Sequence, residues 1–141
     1  MDFSQAFADL NWWAVLVSLG VVMLIGSVWY ANFMFGKAWI AAVGKTRIEL
    51  QQGRTMLWLL VTTLFWSTAI VLSIALLEQF IGINTWQDGL WLGLLVGFGF
   101  TVASGNLHAL LEKRFNSLVW ITSGHNVLIC VVPAILLAVW Q

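Results

Sequence analysis

The stretch Gly89–Arg114, GLWLGLLVGFGFTVASGNLHALLEKR, decides how this chain is read. From Gly89 to Leu111 it holds no Asp, Glu, Lys or Arg, and then Glu112, Lys113 and Arg114 arrive together. A helix that crosses the hydrocarbon core of a bilayer needs about 20 apolar residues. Lipid offers no hydrogen bonds, so a spanning backbone must be helix or closed barrel. Barrel strands alternate polar and apolar residues, and this run does not. It reads as a spanning helix that stops on charge.

Three further stretches behave alike: Trp12 to about Phe35, Met56 to about Ile81, and Leu118 to Trp140. With the third span at about 89–111, they predict an all-α integral membrane protein. The 141 residues form a single membrane domain, a four-helix transmembrane bundle. Composition agrees, at 61% apolar and 9% charged. Soluble domains carry about 25% charged residues, so a soluble or disordered chain is excluded. Cys130 is the single cysteine, which rules out an intrachain disulfide and a cysteine metal site. The start, MDFSQAFADL, lacks the positive segment of a signal peptide.

All six basic residues fall in or beside two connections: Lys37, Lys45, Arg47 and Arg54 in the first, Lys113 and Arg114 in the last. The positive-inside rule makes both loops cytoplasmic and puts both termini on the outer, periplasmic side of a bacterial inner membrane. Asp2, Asp9, Glu78 and Asp88 then lie outside, so the zero net charge is a cancellation between two faces. Trp12, Trp13, Trp86, Trp91 and Trp140 suit the outer interface, and Trp39, Trp58 and Trp120 the inner one. Trp66 falls mid-span.

In the third span Gly89, Gly93, Gly97, Thr101, Gly105 and Ala109 recur at every fourth position. Such a small-residue ridge lets helix backbones approach closely, favouring a right-handed crossing of roughly −40°. Its occupant is another helix of the chain, or a second copy in a homo-oligomer. At 100° per residue, Gly97, Thr101, Ser104, Gly105, His108 and Glu112 share one side. Leu92, Leu95, Val96, Val102, Leu107 and Leu110 share the other and read as lipid-facing, with Asn106 among them meeting another helix. In the fourth span Thr122, His125, Asn126, Ile129 and Pro133 lie on one face. The short turn makes spans three and four an antiparallel hairpin, with Asn106 level with His125. This layer sits about 10 Å inside the inner leaflet. Thr62, Trp66 and Ser73 supply a polar side to the second span, and Asn11, Ser18, Trp29 and Asn32 to the first.

No catalytic set emerges. Ser104, His108 and Glu112 stack along one helix and do not converge on a reacting atom. His108, His125 and Glu112 make a poor metal set of mixed depth, and no cofactor or nucleic-acid partner is expected. No acid or base lies mid-span; Glu78 sits near the outer end of the second. That argues against a proton-coupled antiporter and leaves a channel open.

Two stretches resemble a known family. Asn11–Trp39 contains G-x-x-W-Y followed by F-G-K-x-W: Gly26, Trp29, Tyr30, Phe35, Gly36, Lys37 and Trp39. The second is LLEKR followed by NSLVWITSGHNVLICVVPAILLAVW, with the Asn126 region and Trp140. Together they resemble the bacterial membrane family called Domain of Unknown Function 1761. The resemblance implies four spans and transfers no active site. Physically, Trp29, Tyr30, Lys37 and Trp39 read as an interfacial anchor or lipid site, with Gly36 permitting a bend.

The expected function is that of a non-catalytic bundle which associates with itself or with a membrane partner through Gly89, Gly93, Gly97, Thr101 and Gly105. The alternative is a small homo-oligomeric channel or transporter. Its polar pathway would run past Ser104, His108, Thr122, His125 and Asn126.

Overall fold

A computed structural model describes residues 2–46, 48–49, 53–113 and 117–140. Arg47 and Arg114, used in the charge argument, lie outside the described residues, as does the side chain of Arg54. Among the described residues every regular element is helical, and four helices are long and apolar enough to cross a membrane: Trp12–Trp29, Met56–Ile81, Trp86–Leu111 and Ser117–Val139.

The chain begins with a short helix, α1 (Phe3–Ala8), started by a capping box in which Asp2 and Gln5 each bond the other's backbone N–H. Asn11 then caps α2 (Trp12–Trp29), its Oδ1 accepting from the N–H groups of Trp13 and Ala14 at 3.1 and 3.2 Å. The first span is shorter than the apolar run suggests. It ends at Trp29, and residues 30–35 turn before α3 (Gly36–Val43). Gly36 makes that turn possible. Its N–H bonds the Ala31 carbonyl at 3.0 Å, and a Cβ on it would collide with the carbonyl oxygens of Tyr30 and Ala31. Apolarity alone could not reveal this break, because the turn residues are as greasy as the helix.

The second span lies in α4 (Gly53–Ile81), 29 residues or about 43 Å, longer than the roughly 30 Å hydrocarbon core. Gly82, at φ 77°, closes it: the N–H groups of Gly82 and Ile83 both bond the Glu78 carbonyl. The third span starts about one turn before the apolar run. Thr85 caps α5 (Trp86–Val96), and its hydroxyl donates to the Asp88 carboxylate at 2.6 Å. A π-helical segment, Gly97–Val102, joins α5 to α6 (Ala103–Leu111). The last span is α7 (Ser117–Val139), with Pro133 inside it.

α7 packs against α2, α4 and α5, and touches α3 and α6. Gly89 and Gly93 bring α5 so close that an added Cβ would lie 2.6 Å from the Ala134 carbonyl oxygen and 2.6 Å from the Val131 Cα respectively. Gly97 meets Val127 at 3.2 Å in the same sense. The ridge is thus filled by the chain's own last helix as far as Gly97. Gly105 has nothing within 4 Å and does not join it. The π-helical turn explains the split. One extra residue in a turn rotates everything after it about the helix axis, so an every-fourth-residue row cannot stay on one line. Leu92, read from helical angles as lipid-facing, is 7% exposed and belongs to the core.

That core is concentrated at the end of the molecule where the termini lie, around Val15, Ile74, Leu92, Ile129 and Ala134. At the opposite end, which carries the basic connections, packing loosens. Every side chain of α4 from Met56 to Trp66 is exposed, Phe65 to 75%.

Candidate functional site

Beyond the π-helical segment α6 diverges from α7 and leaves an open groove of about 210 Å³ between them. Thr101, Gly105, Asn106, His108 and Glu112 line one wall, and Val119, Thr122, Ser123 and Asn126 the other. From Thr101 to Glu112 the groove follows α6 for about 16 Å.

At the closed end, the Thr101 hydroxyl donates to the Gly97 carbonyl at 2.6 Å. The polar side chain there serves the backbone of the π-helical segment. One turn further on, the Ser123 hydroxyl donates to Asn106 Oδ1 at 3.1 Å, the cross-helix polar contact of the hairpin. Counting from the turn places Asn106 level with His125, but the pair formed is Asn106–Ser123. The helices end at Leu111 and begin at Ser117, and equal steps inward from those ends reach Asn106 and Thr122. The expectation that Asn106 meets another helix holds, with Ser123 as its partner.

His108 lines the groove and donates from Nδ1 to the backbone carbonyl of Ser104 at 2.8 Å. That bond places the proton on Nδ1 and leaves Nε2 turned away from Ser104. The bond runs to the Ser104 carbonyl, not to its hydroxyl. Ser104 itself stands outside the groove.

His125 also stands outside, on the other side of α7. Its ring lies 5.1 Å from that of Tyr30 and 6.4 Å from that of Trp29. Gly26 faces it closely, a Cβ there reaching 3.4 Å from Nε2. The two histidines therefore look into different surroundings, which separates them as a pathway or a ligand pair. Thr122 bridges the two sides, lining the groove while standing beside the Tyr30 phenol.

The W-Y and F-G-K-x-W residues form a second cluster. Trp29 turns into α7, donating from Nε1 to the Ile121 carbonyl at 3.0 Å. Gly124 makes room for the indole: a Cβ on it would lie 3.0 Å from Trp29 Cζ2. Phe35 packs on Trp29 at 4.5 Å, and Trp39 meets Tyr30 edge-on at 5.5 Å. An interfacial anchor would point these rings outward, whereas Trp29 and Tyr30 lock the 30–35 turn onto α7. Lys37 is exposed and Trp39 half-buried. The Ile121 and Gly124 half of this lock is invisible in sequence, because a carbonyl and a missing Cβ carry no pattern. The Gly-x-x-Trp-Tyr spacing is its only outward sign.

No curated protein and no solved structure matches the chain. A family model described as a protein of unknown function (DUF1761) matches residues 13–138, from the first span to the last turn of α7. By that match this four-span helical chain belongs to the family of proteins of unknown function DUF1761.

Proposed function

We propose that the chain is a non-catalytic membrane protein whose four spans form a bundle, and that it associates with a second copy or another membrane protein through its basic-loop half. The observation that supports this is the polar groove between α6 and α7, open from Thr101 to Glu112. Polar side chains facing lipid lack hydrogen-bond partners, and interhelical packing with polar contacts is what drives helix association in bilayers. A helix laid against Gly105 would supply both, since that glycine has open space above it. The Gly89–Gly93–Gly97 ridge cannot serve, because α7 already occupies it.

The test is to fill the surface without touching the interior. Gly105→Leu adds bulk where nothing lies within 4 Å. Cross-linking and single-molecule counting in bilayers should show loss of the assembly, with the thermal stability of the chain unchanged. An assembly that survives Gly105→Leu rejects the groove as the interface.

Orientation belongs to the same reading. Lys37, Lys45 and Lys113 are exposed, and the positive-inside rule puts their connections in the cytoplasm of a bacterium, with both termini outside the inner membrane. An impermeant thiol reagent should label cysteines added at the termini of intact cells and spare one added at Lys37.

A second reading is a conducting pathway through the groove, favoured by its lining of Thr101, Asn106, His108, Thr122, Ser123 and Asn126. Ion flux in liposomes that falls on His108→Ala, with His125→Ala lacking effect, supports it. Flux indifferent to His108 removes it.

A further inference from the structure

At the end where the termini meet, Glu78 of α4 is 2% exposed, and neither of its carboxylate oxygens has a hydrogen-bond partner among the described residues. It lines a small pocket of about 40 Å³ with Asp9, Asn11, Gln79 and Trp140. None of the described residues lining that pocket is Lys, Arg or His.

We infer that this pocket binds one small monovalent cation, with the Glu78 carboxylate as its principal ligand. Three arguments converge. A buried carboxylate needs a counter-charge or several hydrogen bonds to be tolerable, and Glu78 has neither among the described residues. The pocket is rich in negative charge. Asp9 adds a second carboxylate, and the pocket lies against the last turns of α4, through Gln79, and of α7, through Leu137, where each helix dipole has its negative end. The opposing positive end, the start of α2, is closed by Asn11 Oδ1, while Asn11 Nδ2 donates to the Trp140 carbonyl at 3.3 Å. Access also fits: Glu78 is 2% exposed, so a small bare ion can lie against its carboxylate and a bulky tetraalkylammonium cannot. Oxygen donors alone suit a hard cation, and one buried carboxylate balances one charge.

The experiment is thermal unfolding of the purified protein in detergent, titrated with sodium or potassium chloride against tetramethylammonium chloride at equal ionic strength. The wild-type protein should show a saturable rise in Tm of about 3–6 °C with one of the small cations at roughly ten times its Kd. Tetramethylammonium should give none. Glu78→Gln keeps the shape and should abolish the rise. If that variant does not fold, Asp9→Asn replaces it and should weaken the apparent affinity several-fold. Equal responses to all three salts, or an equal response of wild type and variant, overturns the site. So does a Tm that rises only on acidification, which assigns the carboxylate a proton instead.

Discussion

Single side chains hold this molecule together where helix pattern alone would not. Trp29 is the clearest case, since one indole N–H crosses from α2 to the Ile121 carbonyl and its ring fills the space left by Gly124. Trp29→Phe keeps an aromatic ring and removes the bond, and a neutral hydrogen bond contributes about 1 kcal/mol. The variant should unfold at lower temperature by that measure, and Gly124→Ala should be at least as damaging because the indole must shift. Outside the spans, Glu49 and Thr46 form a reciprocal cap: the Thr46 N–H and hydroxyl each donate to Glu49 Oε2 at 2.7 Å. The Thr46 hydroxyl bond, then its backbone N–H, hold the Glu49 carboxyl below the usual carboxylate range. The sign follows. A depressed folded-state pKa stabilises this turn above the ordinary carboxylate value, and that contribution is lost as pH falls through the folded value. Thr46→Ala should move the Glu49 titration upward, as read by NMR of the side-chain carbon.

Among elements, the pair α5 and α7 is set by absent side chains. Gly89 and Gly93 allow contact that a methyl group would forbid, with backbone atoms of α7 as the obstacle. Backbone cannot rotate aside as a flexible side chain can, so Gly93→Ala should cost about 1–3 kcal/mol, the range for overpacking. Gly105→Ala, on the same nominal ridge, should be neutral or slightly stabilising, since alanine favours helix over glycine by about 1 kcal/mol. Unfolding curves of the two variants check the contrast. The difference stems from the π-helical segment Gly97–Val102, which re-aims α6 and opens the groove. The every-fourth spacing from Gly89 to Ala109 is legible in sequence, but it assumes a uniform helix. The extra residue in the π-turn satisfies a local hydrogen-bond arrangement involving Thr101 and Gly97, and no periodicity announces it.

The whole molecule is asymmetric between its ends. The core sits among the termini, while α4 stands clear of its neighbours from Met56 to Trp66. A spin label at Leu59, 53% exposed, should report high oxygen access and low contact with protein in the isolated chain. One at Ile74, fully buried, should report the opposite. If assembly covers this half, the Leu59 label alone should become shielded as copies associate. Much of the architecture is legible in the sequence. Apolar length and sparse charge alone determined that the chain is helical, with four helices long and apolar enough to cross a membrane, because lipid tolerates few other backbones. The helix α4 ends with its apolar run at Ile81, and α7 begins and ends within a residue of its own. Tertiary structure decided what composition leaves degenerate. Tyr30–Phe35 turn although they are as apolar as a helix, His125 faces α2 although it shares a helical side with Asn126, and Glu78 is buried although it lies near a helix end. Each depends on which neighbour arrives opposite a given side chain, and that is set by close contacts at single glycines and by one irregular turn, neither of which hydrophobic pattern encodes.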